Sequence, residues 1–243
     1  MTNRISDESQ RKVARVAGFS FLSAMAIVVI ANYGIGFRLI IPGNASETAR
    51  NIMAHQLLFR INIACDLVYV VNLVVMLASL YVVLKSVNRN LALVAAFCRL
   101  IFAFTWVVTA LNLLGALRLL GDAAYLSVFS PDQLQSLARL HIAATSDSYY
   151  TGLPFWGLAS AICGCLFFKS GYIPRALAAF GVASSLWCVF CALAYLISPN
   201  FQNTVGLSWF DMPLVIFEMS LGVWLLFKGL RHSSIVERGK ATG

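Results

Sequence analysis

Three ionisable residues stand inside long apolar stretches of this chain: Asp66, Arg99 and Glu218. Each costs at least about 2.5–3.5 kcal/mol near a bilayer centre unless it is paired or hydrated. Two chemistries follow from these residue types. A carboxylate at such a depth can exchange protons or contact a polar substrate group, whereas a carboxylate beside a guanidinium can form an ion pair that fixes which helices are neighbours. Counting about 1.5 Å per residue from the basic ends of the stretches puts Arg99 about 12 Å up its helix, Glu218 about 13–14 Å up its own, and Asp66 about 27 Å up. Arg99 and Glu218 are therefore expected to pair, and Asp66 needs other partners.

The same count places Asn32, Thr109, Asn112 and Tyr150 near the height of Asp66. Asn62, Asp66 and Tyr69 follow i, i+4, i+7 spacing and share one helix face. The expected binding residues are thus Asp66, Arg99, Glu218, Asn62, Tyr69, Asn32, Asn112 and Tyr150, with an expected polar layer around a water-filled cavity below the outer surface. The plainer reading is packing: hydrogen bonds between membrane helices average only about 0.6 kcal/mol each.

Other reactive side chains form no recognisable constellation. Cys65, Cys98, Cys163, Cys165, Cys188 and Cys191 all fall within apolar stretches, which argues against an extracellular disulfide framework. Cys188 and Cys191 have the spacing of a thiol pair but lack the helix N-terminus or nearby cation that activates a thiol, so they read as small packing residues. His55, His141, Asp147 and Glu47 show no metal-ligand spacing. No Walker loop, dinucleotide fingerprint or nucleophile elbow occurs, so no cofactor or metal is expected and catalysis has no positive support. Trp106, Trp156, Trp187 and Trp224 read as packing or interfacial anchors.

The elements that must position these residues follow from composition. The 243 residues are 60% hydrophobic and 12% charged, with a mean hydropathy of +0.80, against roughly 45–50% apolar and about 25% charged in a soluble domain. Too little polar surface exists to cover a soluble fold, so the lipid bilayer is the expected solvent. Six helical spans are expected near Val16–Ile41, Ile61–Leu84, Leu91–Leu117, Tyr150–Phe168, Leu177–Ile197 and Pro213–Phe227, the last of them short. A β-barrel would need alternation, which Leu67–Leu84 lacks. The fold class is therefore all-α: a polytopic bundle of six transmembrane helices.

The net charge of +8 would suggest nucleic acid in a soluble protein, but the basic residues cluster at the ends of spans. Of 18 Lys and Arg, only Arg38, Arg50, Arg60, Arg118 and Arg139 fall on one side and Arg99 within a span; the rest share the opposite side. The positive-inside rule then places both termini in the cytoplasm. Residues 1–13 read as a cytoplasmic tail, 14–229 as the six-helix transmembrane domain and 230–243 as a second cytoplasmic tail. The first apolar run is much longer than a signal-peptide core of roughly 7–15 residues and reads as a retained helix.

Between the third and fourth spans, Ser130-Pro131-Asp132-Gln133 forms a capping box with proline at the first helical position. Leu134, Leu137, Ala138 and His141 follow at helical spacing, which predicts an amphipathic helix lying on the outer surface, with a lid as the sharper alternative. A faint echo links Lys85-Ser86 before Leu93-Val94-Ala95-Ala96-Phe97 to Lys169-Ser170 before Ala176-Leu177-Ala178-Ala179-Phe180. Any basic turn leading into a small-residue helix gives that pattern.

Phe155-Trp156-Gly157-Leu158, followed by Phe168-Lys169-Ser170-Gly171-Tyr172-Ile173-Pro174-Arg175-Ala176-Leu177, resembles the signature of the bacterial membrane family named domain of unknown function 4386. Leu80-Tyr81-Val82-Val83-Leu84-Lys85 leading to Arg99, and Glu218 with Trp224-Leu225-Leu226-Phe227-Lys228-Gly229, are similar to the same family. The resemblance covers most of the chain after about residue 15, and implies six helices and a bacterial inner membrane but no activity. Family members often carry a glutamate near the arginine of the third helix; here Phe102 stands one turn beyond Arg99, which makes Glu218 the more necessary partner.

Three functional readings follow. The first is a binding, sensing or accessory component; the second is a small-molecule or proton-coupled transporter with an outward-facing polar cavity; the third is a membrane-embedded enzyme acting on a lipid or isoprenoid. The expected partner is the lipid bilayer, with a second copy or another membrane protein as candidates and no nucleic acid.

Overall fold

A computed structural model describes residues 2–231, with side chains described from residue 8 onward. Arg4 as a side chain, and His232, Arg238 and Lys240 of the expected C-terminal tail, lie outside the described residues. The described chain is all helix and turn, with no strand among those residues. Its main helices are α1 (Thr2–Val28), α2 (Ala45–Ala54), α3 (Gln56–Leu84), α4 (Arg89–Leu119), α5 (Pro131–Ser170), α6 (Arg175–Ile197) and α7 (Ser208–Val223). Six segments are long and apolar enough to cross a membrane: Glu8–Leu39, Gln56–Leu84, Arg89–Leu119, Pro131–Ser170, Arg175–Ile197 and Ser208–Lys228. Large apolar side chains on them, such as Phe19, Val71, Phe104, Phe190 and Phe227, are exposed, a surface that suits lipid and not water.

Three departures of the helices from the sequence reading have a clear local reason. The predicted surface helix begins where expected, since the Ser130 amide donates to Gln133 Oε1 at 2.9 Å and the Gln133 amide donates to Ser130 Oγ at 3.3 Å. It does not end before the fourth span, however, but runs on as the single 40-residue α5. Pro154 lies inside that helix and withholds the amide that would pair with the Tyr150 carbonyl. Just before it, Ser148 and Thr151 donate their hydroxyls to the carbonyls of Ala144 and Asp147, at 2.9 and 2.8 Å.

The second departure is α2, a helix between the first two expected spans. Gly43 turns the chain at φ +76°, and the Glu47 amide donates to Asn44 Oδ1 at 2.9 Å while Asn44 Nδ2 donates to Glu47 Oε2 at 3.0 Å. Asn-x-x-Glu is itself a helix-start signal.

The third is the sixth span, which starts at Ser208 instead of Pro213. A proline at that point leaves the carbonyl four residues earlier, on Trp209, without its helical donor. Trp187 Nε1 of α6 donates to that carbonyl at 2.9 Å, so the helix begins a turn earlier at little cost.

By contacts the chain gathers into two compact units. One holds the described residues of Met1–Ser23, Asn72–Phe102 and Gly152–Gly243; the other holds Ala24–Val71 and Ala103–Thr151. In the first unit, helices approach closely through small residues. A Cβ on Gly157 would lie 2.9 Å from the Ser185 carbonyl oxygen, and one on Gly181 would collide with the Phe217 ring. The turn into α6 is made by Gly171 at φ +70°, with Pro174 as the residue that caps the helix. In the second unit, Ile52, Phe59, Ile63, Leu113, Ala116, Ala138 and Ile142 form one buried cluster. There the first span contains an eight-residue π-helical stretch, Val29–Gly36, carrying Asn32.

Candidate functional site

Among the described residues, a buried polar cluster stands in each unit, and the two differ in how their polar atoms are satisfied. In the first unit Arg99 of α4 meets Glu218 of α7, Nη2 to Oε1, at 2.7 Å. The same oxygen accepts from Ser160 Oγ at 2.6 Å and from Trp156 Nε1 at 2.7 Å, both on α5. Arg99 Nη2 also donates to Ser160 Oγ at 2.7 Å, and Nη1 reaches Met76 Sδ on α3 at 3.3 Å. The guanidinium lies 5.7 Å from the centroid of the Phe21 ring on α1, and Phe102 stacks on Trp156 at 5.3 Å. Arg99 is 2% exposed and Glu218 8%. Charge meets charge, and donors converge on the anionic oxygen, so the desolvation of both ions is offset by good geometry.

The second cluster lacks that closure. On α3 Asn62, Asp66 and Tyr69 are 5%, 2% and 8% exposed. Asn62 Oδ1 has no hydrogen-bond partner, and neither does Trp106 Nε1 on α4. Asp66 makes no hydrogen bond and no ion pair among the described residues. Aromatic rings stand alongside: Tyr69 and Trp106 lie 4.6 Å apart between centroids, and Trp106 meets Tyr149 edge-on at 6.2 Å. Buried polar atoms without partners are uncommon in native proteins, because each forfeits about 1–3 kcal/mol of hydration.

The remaining expected residues are distributed as follows. Asn112 pairs with His141, Oδ1 to Nδ1, at 3.2 Å. Tyr150 is half-buried with its ring 5.5 Å from Tyr149. Asn32 and Thr109 are half-buried. Of the acid and imidazole groups weighed for a metal, Glu47 is engaged with Asn44, and His55 Nδ1 faces the Asn51 carbonyl at 3.1 Å.

Sequence reasoning joined Arg99 to Glu218 by depth but missed Ser160 and Trp156, although Trp156 was visible within the family-like Phe155–Leu158 segment. It also missed Trp106 and Tyr149 as neighbours of the Asp66 face. Tyr69 was the available signal there, since an aromatic one turn from a buried acid invites a search for facing rings.

No curated protein and no solved structure matches this chain. A family model described as Domain of unknown function (DUF4386) matches residues 16–229. That match spans all six apolar segments from residue 16 onward and both polar clusters, and the chain therefore belongs to the DUF4386 family.

Proposed function

We propose that the chain is a multi-pass protein of the bacterial inner membrane, with both termini in the cytoplasm, acting as a binding, sensing or accessory component through the Asp66 face of α3. The observation that carries this reading is the contrast between the clusters. Arg99 and Glu218 are tied to each other and, through Glu218 Oε1, to Ser160 and Trp156, which suits a structural tie among helices. Asn62 Oδ1 and Trp106 Nε1 instead have no hydrogen-bond partner in a buried place, beside a buried Asp66, a cost to folding that a bound partner would remove.

The test is the thermal stability of Asp66→Asn in a mild detergent. An amide at position 66 carries no charge to desolvate and can donate to Asn62 Oδ1, so the variant should melt at or above the wild-type temperature. A loss of several degrees would make Asp66 a folding residue and remove the basis for the reading.

A further inference from the structure

The unsatisfied atoms around Asp66 differ in kind, and together they describe a ligand. We propose that this face binds a monovalent organic ammonium ion that also carries a hydrogen-bond acceptor, such as a hydroxyl or carbonyl. The inference rests on the reading above that Asp66 serves binding and not folding.

Charge comes first. A single buried carboxyl group with no cation beside it calls for one positive charge, and it repels anions. Asn62 Oδ1, one turn away on the same face, is a second buried acceptor without a donor. Two adjacent acceptors match a group with several N–H donors, and an ammonium has three.

The rings of Tyr69, Trp106 and Tyr149 favour alkylated ammonium over strongly hydrated inorganic ions, because aromatic faces attract cations and alkyl groups alike. Trp106 Nε1 points the same way. It is a buried donor with no acceptor, and a sodium ion held by Asp66 and Asn62 would leave it so. An ammonium ligand with a hydroxyl or carbonyl satisfies all three. A divalent cation fits less well, since it takes 6–8 oxygens and usually several carboxylates, and no group of three His, Cys, Asp or Glu exists among the described residues.

The experiment uses the full-length protein in dodecyl maltoside, which has no ammonium headgroup. Ethanolamine is titrated against intrinsic tryptophan fluorescence and melting temperature, with ethylene glycol and sodium chloride at matched concentration and ionic strength as controls. Expected is a saturable change with ethanolamine alone, lost in Asp66→Asn and weakened about fivefold in Trp106→Phe, the worth of one hydrogen bond.

An equal response to ethylene glycol or sodium chloride, or a response that survives Asp66→Asn, overturns the assignment. So does no response to ethanolamine. The ligand-free melting temperature of Asp66→Asn tells the two ideas apart. If it is unchanged or raised while ethanolamine fails, the ligand class is wrong and the binding reading stands; if it falls and ethanolamine fails, both are gone.

Discussion

Glu218 Oε1 receives three donors at 2.6–2.7 Å, from Arg99, Ser160 and Trp156. With both charges almost out of solvent, the two single losses should be severe and coupled. Glu218→Gln strands the guanidinium, and Arg99→Met strands the carboxylate; each should cost about 3–5 kcal/mol, as for other broken buried pairs. The double variant Arg99→Met with Glu218→Gln strands neither ion and should recover much of that loss, read as denaturant midpoints of purified protein. Losses that merely add would show that the two side chains act independently. The pairing was legible because depth along a helix is simple arithmetic, with about 1.5 Å per residue bringing Arg99 and Glu218 to one level. Ser160 and Trp156 were not, because which face of α5 turns toward α7 depends on close approaches such as that at Gly157, which a single sequence does not announce. Asp66 was legible as an isolated charge, yet its setting among Tyr69, Trp106 and Tyr149 depends on how α3, α4 and α5 rotate about their axes.

At the scale of elements, apolar length located all six spans, and errors gathered where a side chain alters a helix end. Pro213 looks like a start signal and is read as one from sequence, but Ser208 is the true start because Trp187 supplies the donor that Pro213 withholds from the Trp209 carbonyl. That donor comes from 22 residues away, so no local pattern could reveal it. The capping box at Ser130 was read correctly as a beginning, but nothing between it and the fourth span forces an end: Pro154 removes one hydrogen bond and the helix tolerates it. The Trp187 bond can be tested by a double-mutant cycle. Trp187→Phe keeps a ring and removes the N–H, and should cost about 1 kcal/mol. Pro213→Ala returns a backbone amide to the same carbonyl, so the penalty of Trp187→Phe should shrink in the Pro213→Ala background. An unchanged penalty would mean that the indole contributes through packing alone.

For the whole molecule, the governing fact is the distribution of charge relative to apolar length. Exposed Phe19, Phe104, Phe190 and Phe227 need lipid around them, while Lys85 and Arg89 flank one turn and Lys169 and Arg175 another. Those two turns join spans in the same sense, α3 to α4 and α5 to α6, so an even number of crossings separates them and both must face one side. On the proposed orientation, the basic residues of these short loops hold them in the cytoplasm. The same proposed orientation would turn the connection from α4 to α5, which contains Asp122 and the Ala124–Leu126 turn, outward, and the even number of spans would return the C-terminus to the cytoplasm. Topology reporters read this directly in a bacterial host. Green fluorescent protein fused to the C-terminus should fluoresce, alkaline phosphatase inserted after Asp122 should be active, and phosphatase inserted after Gly171 should be silent. Because every connection is fixed relative to its neighbours by the number of spans between them, active phosphatase at Gly171 with silence at Asp122 would invert the whole arrangement. In that case the charges at Lys85, Arg89, Lys169 and Arg175 would not be what orients this chain.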